Sequence, residues 1–184
     1  MAQTDTLSSR PAKQKKYSLF LYLSSGAGYF PSNDGAPAYL QPKLRRINPV
    51  NTVRVMWKPD HRLKAGLETG YVTFYEYTLT DADGNKGKIA LGGIPVLLEF
   101  SVALNKRFNL FAGPGVYVLD TRLDYAGKTR SQKVATGWMA ALAYVQPVTK
   151  ELGLGAETKW LYAAETIRGS IGLQLQLVWR FFRW

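Results

Sequence analysis

Apolar and polar residues alternate along most of this chain, and most clearly from Gly169 to Trp184. Ile171, Leu173, Leu175, Leu177, Trp179 and Phe181 fall on one side of an extended strand. Gly172, Gln174, Gln176, Val178 and Arg180 fall on the other. A period of two marks a strand lying between two different environments. One face is continuously apolar and ends in aromatics; the other is small, polar and finally charged. The same dyad predicts eight strands, at about 16–30, 50–58, 63–79, 88–104, 108–119, 134–146, 152–163 and 170–182. Three connectors are short (59–62, 105–107 and 147–151) and four are longer (31–49, 80–87, 120–133 and 164–169). Tight turns alternating with long loops are the pattern of an antiparallel up-and-down transmembrane β-barrel, all-β in class.

Assigning faces sharpens this expectation. The outward face collects Leu19, Leu21, Leu23, Val53, Val55, Leu67, Val96, Leu98, Val102, Leu110, Leu142 and Leu154. The inward face collects glycines with Arg54, Lys64, Glu68, Glu99, Glu157, Lys159 and Arg180, predicted as a lumenal charge network. Aromatics gather toward the short-turn ends (Trp57, Tyr144, Trp179, Phe181) and toward the long-loop ends (Tyr29, Trp138, Trp160, Tyr162). Two aromatic belts around an aliphatic band are what amphipathic rings form at membrane interfaces. A soluble barrel with the apolar face inside is disfavoured, because eight strands leave room for little more than their own side chains.

Composition changes the picture little. The 184 residues fit one domain, with residues 1–15 as a flexible polar tail and 16–184 as the barrel. No apolar run approaches the roughly 20 residues of a transmembrane helix. The absence of cysteine excludes thiol chemistry and cysteine-ligated metals. Lys and Arg outnumber Asp and Glu to give a net charge of +11, but they are scattered, which points to anionic lipid headgroups rather than nucleic acid. Basic residues before Tyr17–Ala27 resemble a secretory signal. That segment nevertheless alternates like a strand, and removing it leaves seven strands where bacterial single-chain barrels have even numbers. The expectation is a mature chain beginning at Ala2 behind a start methionine, with both termini on the periplasmic, short-turn side.

The segments Ile94–Phe100, Asn109–Val116 and Leu152–Glu157 resemble the central strands of small outer-membrane barrels of Gram-negative bacteria, the eight-stranded class of OmpA-type and OmpX-type proteins, in the form common in Bacteroidetes. The resemblance implies outer-membrane residence and insertion by the barrel-assembly machinery, which reads a last strand ending in an aromatic. Trp179, Phe182 and Trp184 would supply that signal, although Arg180 and Arg183 make the ending atypical.

Catalytic chemistry finds little support. The single histidine, His61, lies in a predicted turn between Asp60 and Arg62 and reads as a solvated residue rather than a base for a lipid hydrolase. Asp83-Gly84-Asn85 reads as a turn, not a calcium loop. No cofactor or metal is expected. Loop residues Tyr39, Lys43, Arg45, Arg46, Arg122, Tyr125, Lys128 and Arg130 combine basic and aromatic character suited to lipopolysaccharide phosphates, or to a neighbouring outer-membrane or periplasmic protein. The sequence therefore predicts a non-enzymatic outer-membrane barrel with a structural or interaction role, such as an accessory subunit of an envelope complex. The alternative is a narrow channel for ions or small apolar solutes.

Overall fold

The computed structural model describes residues 17–31, 44–59, 63–80, 86–124, 128–166 and 169–184. The tail expected over 1–15 lies outside them. The main strands are β1 (Ser18–Tyr29), β3 (Ile47–Lys58), β4 (Leu63–Thr80), β5 (Lys86–Ala103), β6 (Phe108–Asp124), β7 (Lys128–Pro147), β8 (Leu152–Ala163) and β9 (Ser170–Arg183); a two-residue strand, β2 (Leu44–Arg45), pairs with β4. The eight long strands are antiparallel to their neighbours, and β1 pairs with both β3 and β9. The β4–β5 pairing closes the ring. The fold is thus an all-β, eight-stranded closed barrel, the arrangement that leaves no open edge along the ring. Among the described residues, helix is confined to one 3-10 turn, Ala164–Thr166.

The predicted outward face is outward. Leu23, Val53, Val55, Leu67, Val96, Leu98, Val102, Leu110, Leu142, Leu154, Leu173 and Leu175 are all exposed, the last by 76%. Ring pairs flank this band. Tyr17 stacks on Trp57 (6.0 Å), Phe108 meets Tyr144 (5.2 Å) and Trp179 meets Phe181 (5.8 Å) at the short-turn end. Trp138 meets Tyr162 (5.9 Å) at the other end.

Three features depart from the sequence expectation. First, 120–133 is not a long loop: β6 and β7 stay in register from Phe108↔Tyr144 to Asp124↔Lys128. Polarity marked this stretch as a loop, yet a hairpin standing in water is polar too, and its backbone hydrogen bonds do not register in side-chain hydropathy. Strand β3 likewise begins earlier than expected, at Ile47, held by Asn48 Nδ2 donating to the carbonyls of Arg45 (3.0 Å) and Phe74 (3.2 Å). Second, the lumen is not only small and charged. Tyr22, Phe111, Phe30, Phe74, Tyr117, Met56, Leu97, Met139 and Leu161 are buried inside it. Glycines on the same face leave the space these large residues fill at close packing. Third, a bulge between Thr73 and Tyr75 turns Tyr75 against Phe30 (5.5 Å) and Tyr77 (6.1 Å), away from the outer aromatic belt.

The β5–β6 ladder is interrupted between Leu97↔Gly115 and Phe100↔Ala112. Pro114 in this gap has no N–H to offer. Gly113 beside it lets the two backbones close, since a Cβ there would overlap the carbonyl of Leu98. The gap falls at Glu99, whose side chain points into the network described next.

Candidate functional site

Five buried ionic side chains meet at the centre of the barrel. Arg54 on β3 lies across the strand from Glu68 on β4. Its guanidinium contacts Glu68 through Nη2, Glu99 through Nε (2.5 Å) and Glu157 through Nη1 (2.8 Å). Lys159 Nζ bridges Glu68 (2.5 Å) and Glu157 (2.9 Å) and donates to Thr52 Oγ1 (3.2 Å). Gln176 Nε2 donates to Glu157 Oε2 and to Ser24 Oγ, both at 3.1 Å. Arg54 is 1% exposed and its guanidinium lies 4.1 Å over the Phe111 ring, a cation–π contact. Inward positions two apart, Thr52 and Arg54 on β3 and Glu157 and Lys159 on β8, put these groups on the lumenal face, as the period of a strand requires.

The cluster holds two cations against three carboxylates. Glu99 is the member with the fewest cation contacts: among the described residues Arg54 alone pairs with it, off the N–H direction, while Lys159 reaches the other two carboxylates. Ion pairs so deep need nearly every lone pair satisfied to offset desolvation, and this one fills the lumen across its width.

Two of the residues grouped with this network by sequence stand apart. Arg180 sits at the short-turn mouth, where its guanidinium donates to the Lys150 carbonyl. Position 180 is inward by parity but too near the strand end to reach the centre. Lys64 is buried (7% exposed) but bonds only Asn109 Oδ1 (2.9 Å) and the Tyr22 hydroxyl (3.2 Å). Tyr22 and Phe111, in edge contact at 5.8 Å, lie between it and the central cluster.

At the outer end of the β6–β7 hairpin, Asp120 accepts hydrogen bonds from Arg130 Nε (2.6 Å) and Arg122 Nε (2.7 Å). The Arg130 hydrogen bond, followed by that of Arg122, holds the Asp120 carboxyl below its ordinary range. The hydrogen bond to Asp120 raises the Arg122 guanidinium correspondingly. Sequence reading singled out the two arginines but not the aspartate; its place two residues before Arg122 on one strand face was the available signal. Lys128 ends the same hairpin, while Tyr39, Lys43 and Tyr125 lie outside the described residues, as do Asp60, His61 and Arg62. Arg45 Nε donates to the Ile47 carbonyl (3.2 Å), and Arg46 reaches the Tyr29 hydroxyl (3.5 Å). At the C-terminus, Trp184 pairs its backbone with Tyr17 (3.0 and 3.2 Å) and packs on Phe182 (4.9 Å). Among the described residues no cluster of His, Asp and Glu has the make-up of a metal site.

A closed ring of this strand number, apolar outside and ionic inside, has the fold of small eight-stranded outer-membrane barrels. The solved structure of Neisserial surface protein A has the same fold: TM-score 0.50 at 12% identity, covering 90% of this chain and 99% of that one. Ail of Yersinia pestis gives a TM-score of 0.48 at 8% identity, covering 94% of this chain and all of that one. The N-terminal barrel domain of Pseudomonas aeruginosa OprF gives 0.45 at 14% identity, covering 89% and 98%. No family model and no curated protein sequence matches the chain.

Proposed function

We propose that this chain is a non-enzymatic outer-membrane barrel of a Gram-negative bacterium, with both termini periplasmic and a structural or interaction role, acting as an accessory subunit within a larger envelope complex. The observation that carries the reading is a lumen plugged by a buried ion network inside a ring whose exterior is a continuous apolar band. Contiguous exposed apolar surface of this extent requires a lipid or protein covering. A plugged lumen leaves the exterior and the strand ends as the surfaces that can act. The finer likeness of 94–100, 109–116 and 152–157 to barrels common in Bacteroidetes belongs to the same proposal. So does assembly by the barrel-assembly machinery through Trp179, Phe182 and Trp184. The Arg122–Asp120–Arg130 group stands on the outward face beyond Val116 and Val118, the level at which phosphorylated lipopolysaccharide headgroups would meet it.

Two measurements test the reading. In planar bilayers the purified protein should give no sustained conductance; steady single-channel currents, lost on Glu99→Gln, would replace it with the narrow-channel alternative. Gentle detergent extraction followed by tag pulldown and intact-assembly mass spectrometry should return a stoichiometric partner. A bare monomer would remove the accessory role.

A further inference from the structure

The short-turn mouth of the barrel holds a pocket of about 250 Å³ lined on its polar side by Lys58, Lys64, Lys106, Asn105, Asn109 and Tyr22, set against apolar side chains such as Phe20. Among the described residues no acidic side chain lines it; Glu151 belongs to an adjoining recess beside Arg180 and Lys150. Lys64 is the buried member. Its hydrogen-bond partners, Asn109 and Tyr22, are neutral, and its ammonium lies 5.4 Å from the Phe20 ring centre. Among the described residues no carboxylate stands within ion-pair distance of it. A buried cation without a counter-charge is costly, and Lys58 and Lys106 add like charges at the same pocket.

The two amides in this wall already use their oxygens as acceptors. Asn105 Oδ1 receives the backbone N–H groups of Arg107 and Phe108, both at 2.8 Å. Asn109 Oδ1 receives Lys64 Nζ. Asn105 is left with its N–H₂ group, Asn109 with its N–H₂ group and one lone pair, and the three lysines carry only donors. The polar wall is therefore rich in donors and short of acceptors and negative charge. Its volume lies a little below the roughly 300–1,000 Å³ of sites for drug-sized ligands, room enough for a small anion with some of its water.

We infer that this mouth pocket binds a free small oxyanion of the phosphate or carboxylate type, gripped by Lys64 from within and by Lys58 and Lys106 at the rim. Charge-assisted hydrogen bonds from ammonium groups to oxyanion oxygens are among the stronger polar contacts available. The inference needs only the barrel fold and is independent of the membrane in which the barrel resides or the partner it serves.

Isothermal titration of the folded protein in detergent micelles with inorganic phosphate, at ionic strength held constant with chloride, tests it. One saturable site is expected. Lys64→Met should abolish it, and the double variant Lys58→Gln/Lys106→Gln should weaken it at least tenfold. Both rim lysines are exposed, so the double variant keeps its fold and remains decisive if Lys64→Met does not assemble. Heat-modifiable gel mobility reports folding in each case. Absence of saturable uptake by the folded wild-type protein overturns the inference, as does undiminished binding by the rim double variant.

Discussion

Arg54 is the side chain on which the most interior bonds depend. Its removal strands three carboxylates with Lys159 as their only cation. Breaking a buried pair by deleting one partner costs about 3–5 kcal/mol. Arg54→Met should therefore lower the free energy of unfolding, read from urea titration in lipid vesicles, by an amount in that range, and bring the midpoint down with it. Glu157→Gln, which weakens contacts to Arg54, Lys159 and Gln176, should cost less. Glu99→Gln should cost least, because it removes the carboxylate in excess and keeps the shape. A loss for Glu99→Gln equal to that for Arg54→Met would contradict this ordering. Parity put Arg54, Glu68, Glu99, Glu157 and Lys159 on the inward face, but it put Lys64 and Arg180 there with them and did not separate the two sets. Nor was it legible which charge meets which, because Arg54 and Glu157 lie 103 residues apart and are joined only by closure of the ring.

At the scale of the element, the β6–β7 hairpin shows how a strand continues where hydropathy stops signalling it. Its outer end is pinned by Asp120 between Arg130 and Arg122. These partners lower the Asp120 pKa, so its contribution is present above the unfolded value of about 3.9 and is lost as pH falls through the lower folded value. Amide hydrogen exchange near Asp120 should thus be as slow at pH 5 as at pH 7 once intrinsic rates are removed, and should quicken below about pH 4. Asp120→Asn should exchange faster at neutral pH and lack the acid step. Equal protection in the two proteins at pH 7 would show that the backbone ladder alone holds the hairpin. The bulge at Thr73/Tyr75 belongs to the same scale. Nothing in the alternation around Tyr75 announces an extra residue, since a bulge is a property of two paired strands and not of one.

For the whole molecule, the decisive question is which solvent meets the outer face. Leu175 stands in the outward band with 76% of its surface exposed. If lipid surrounds it, Leu175→Arg should destabilise the barrel by up to about 2–4 kcal/mol in vesicles; in water the same change would be nearly neutral. Brominated acyl chains should also quench Trp138 and Trp179, both outward. A null result in both experiments would remove the membrane reading. Fold class, strand number and the direction of each face followed from the sequence by itself, because a period of two against two unlike environments is a local property that each strand carries independently. Only the tertiary structure decided that Tyr22 and Phe111 separate Lys64 from the central ion cluster, that Arg180 remains at the mouth, and that three lysines and two amides share one pocket. Those outcomes depend on register and closure, which set the height of each residue on the ring by pairing strands distant in sequence.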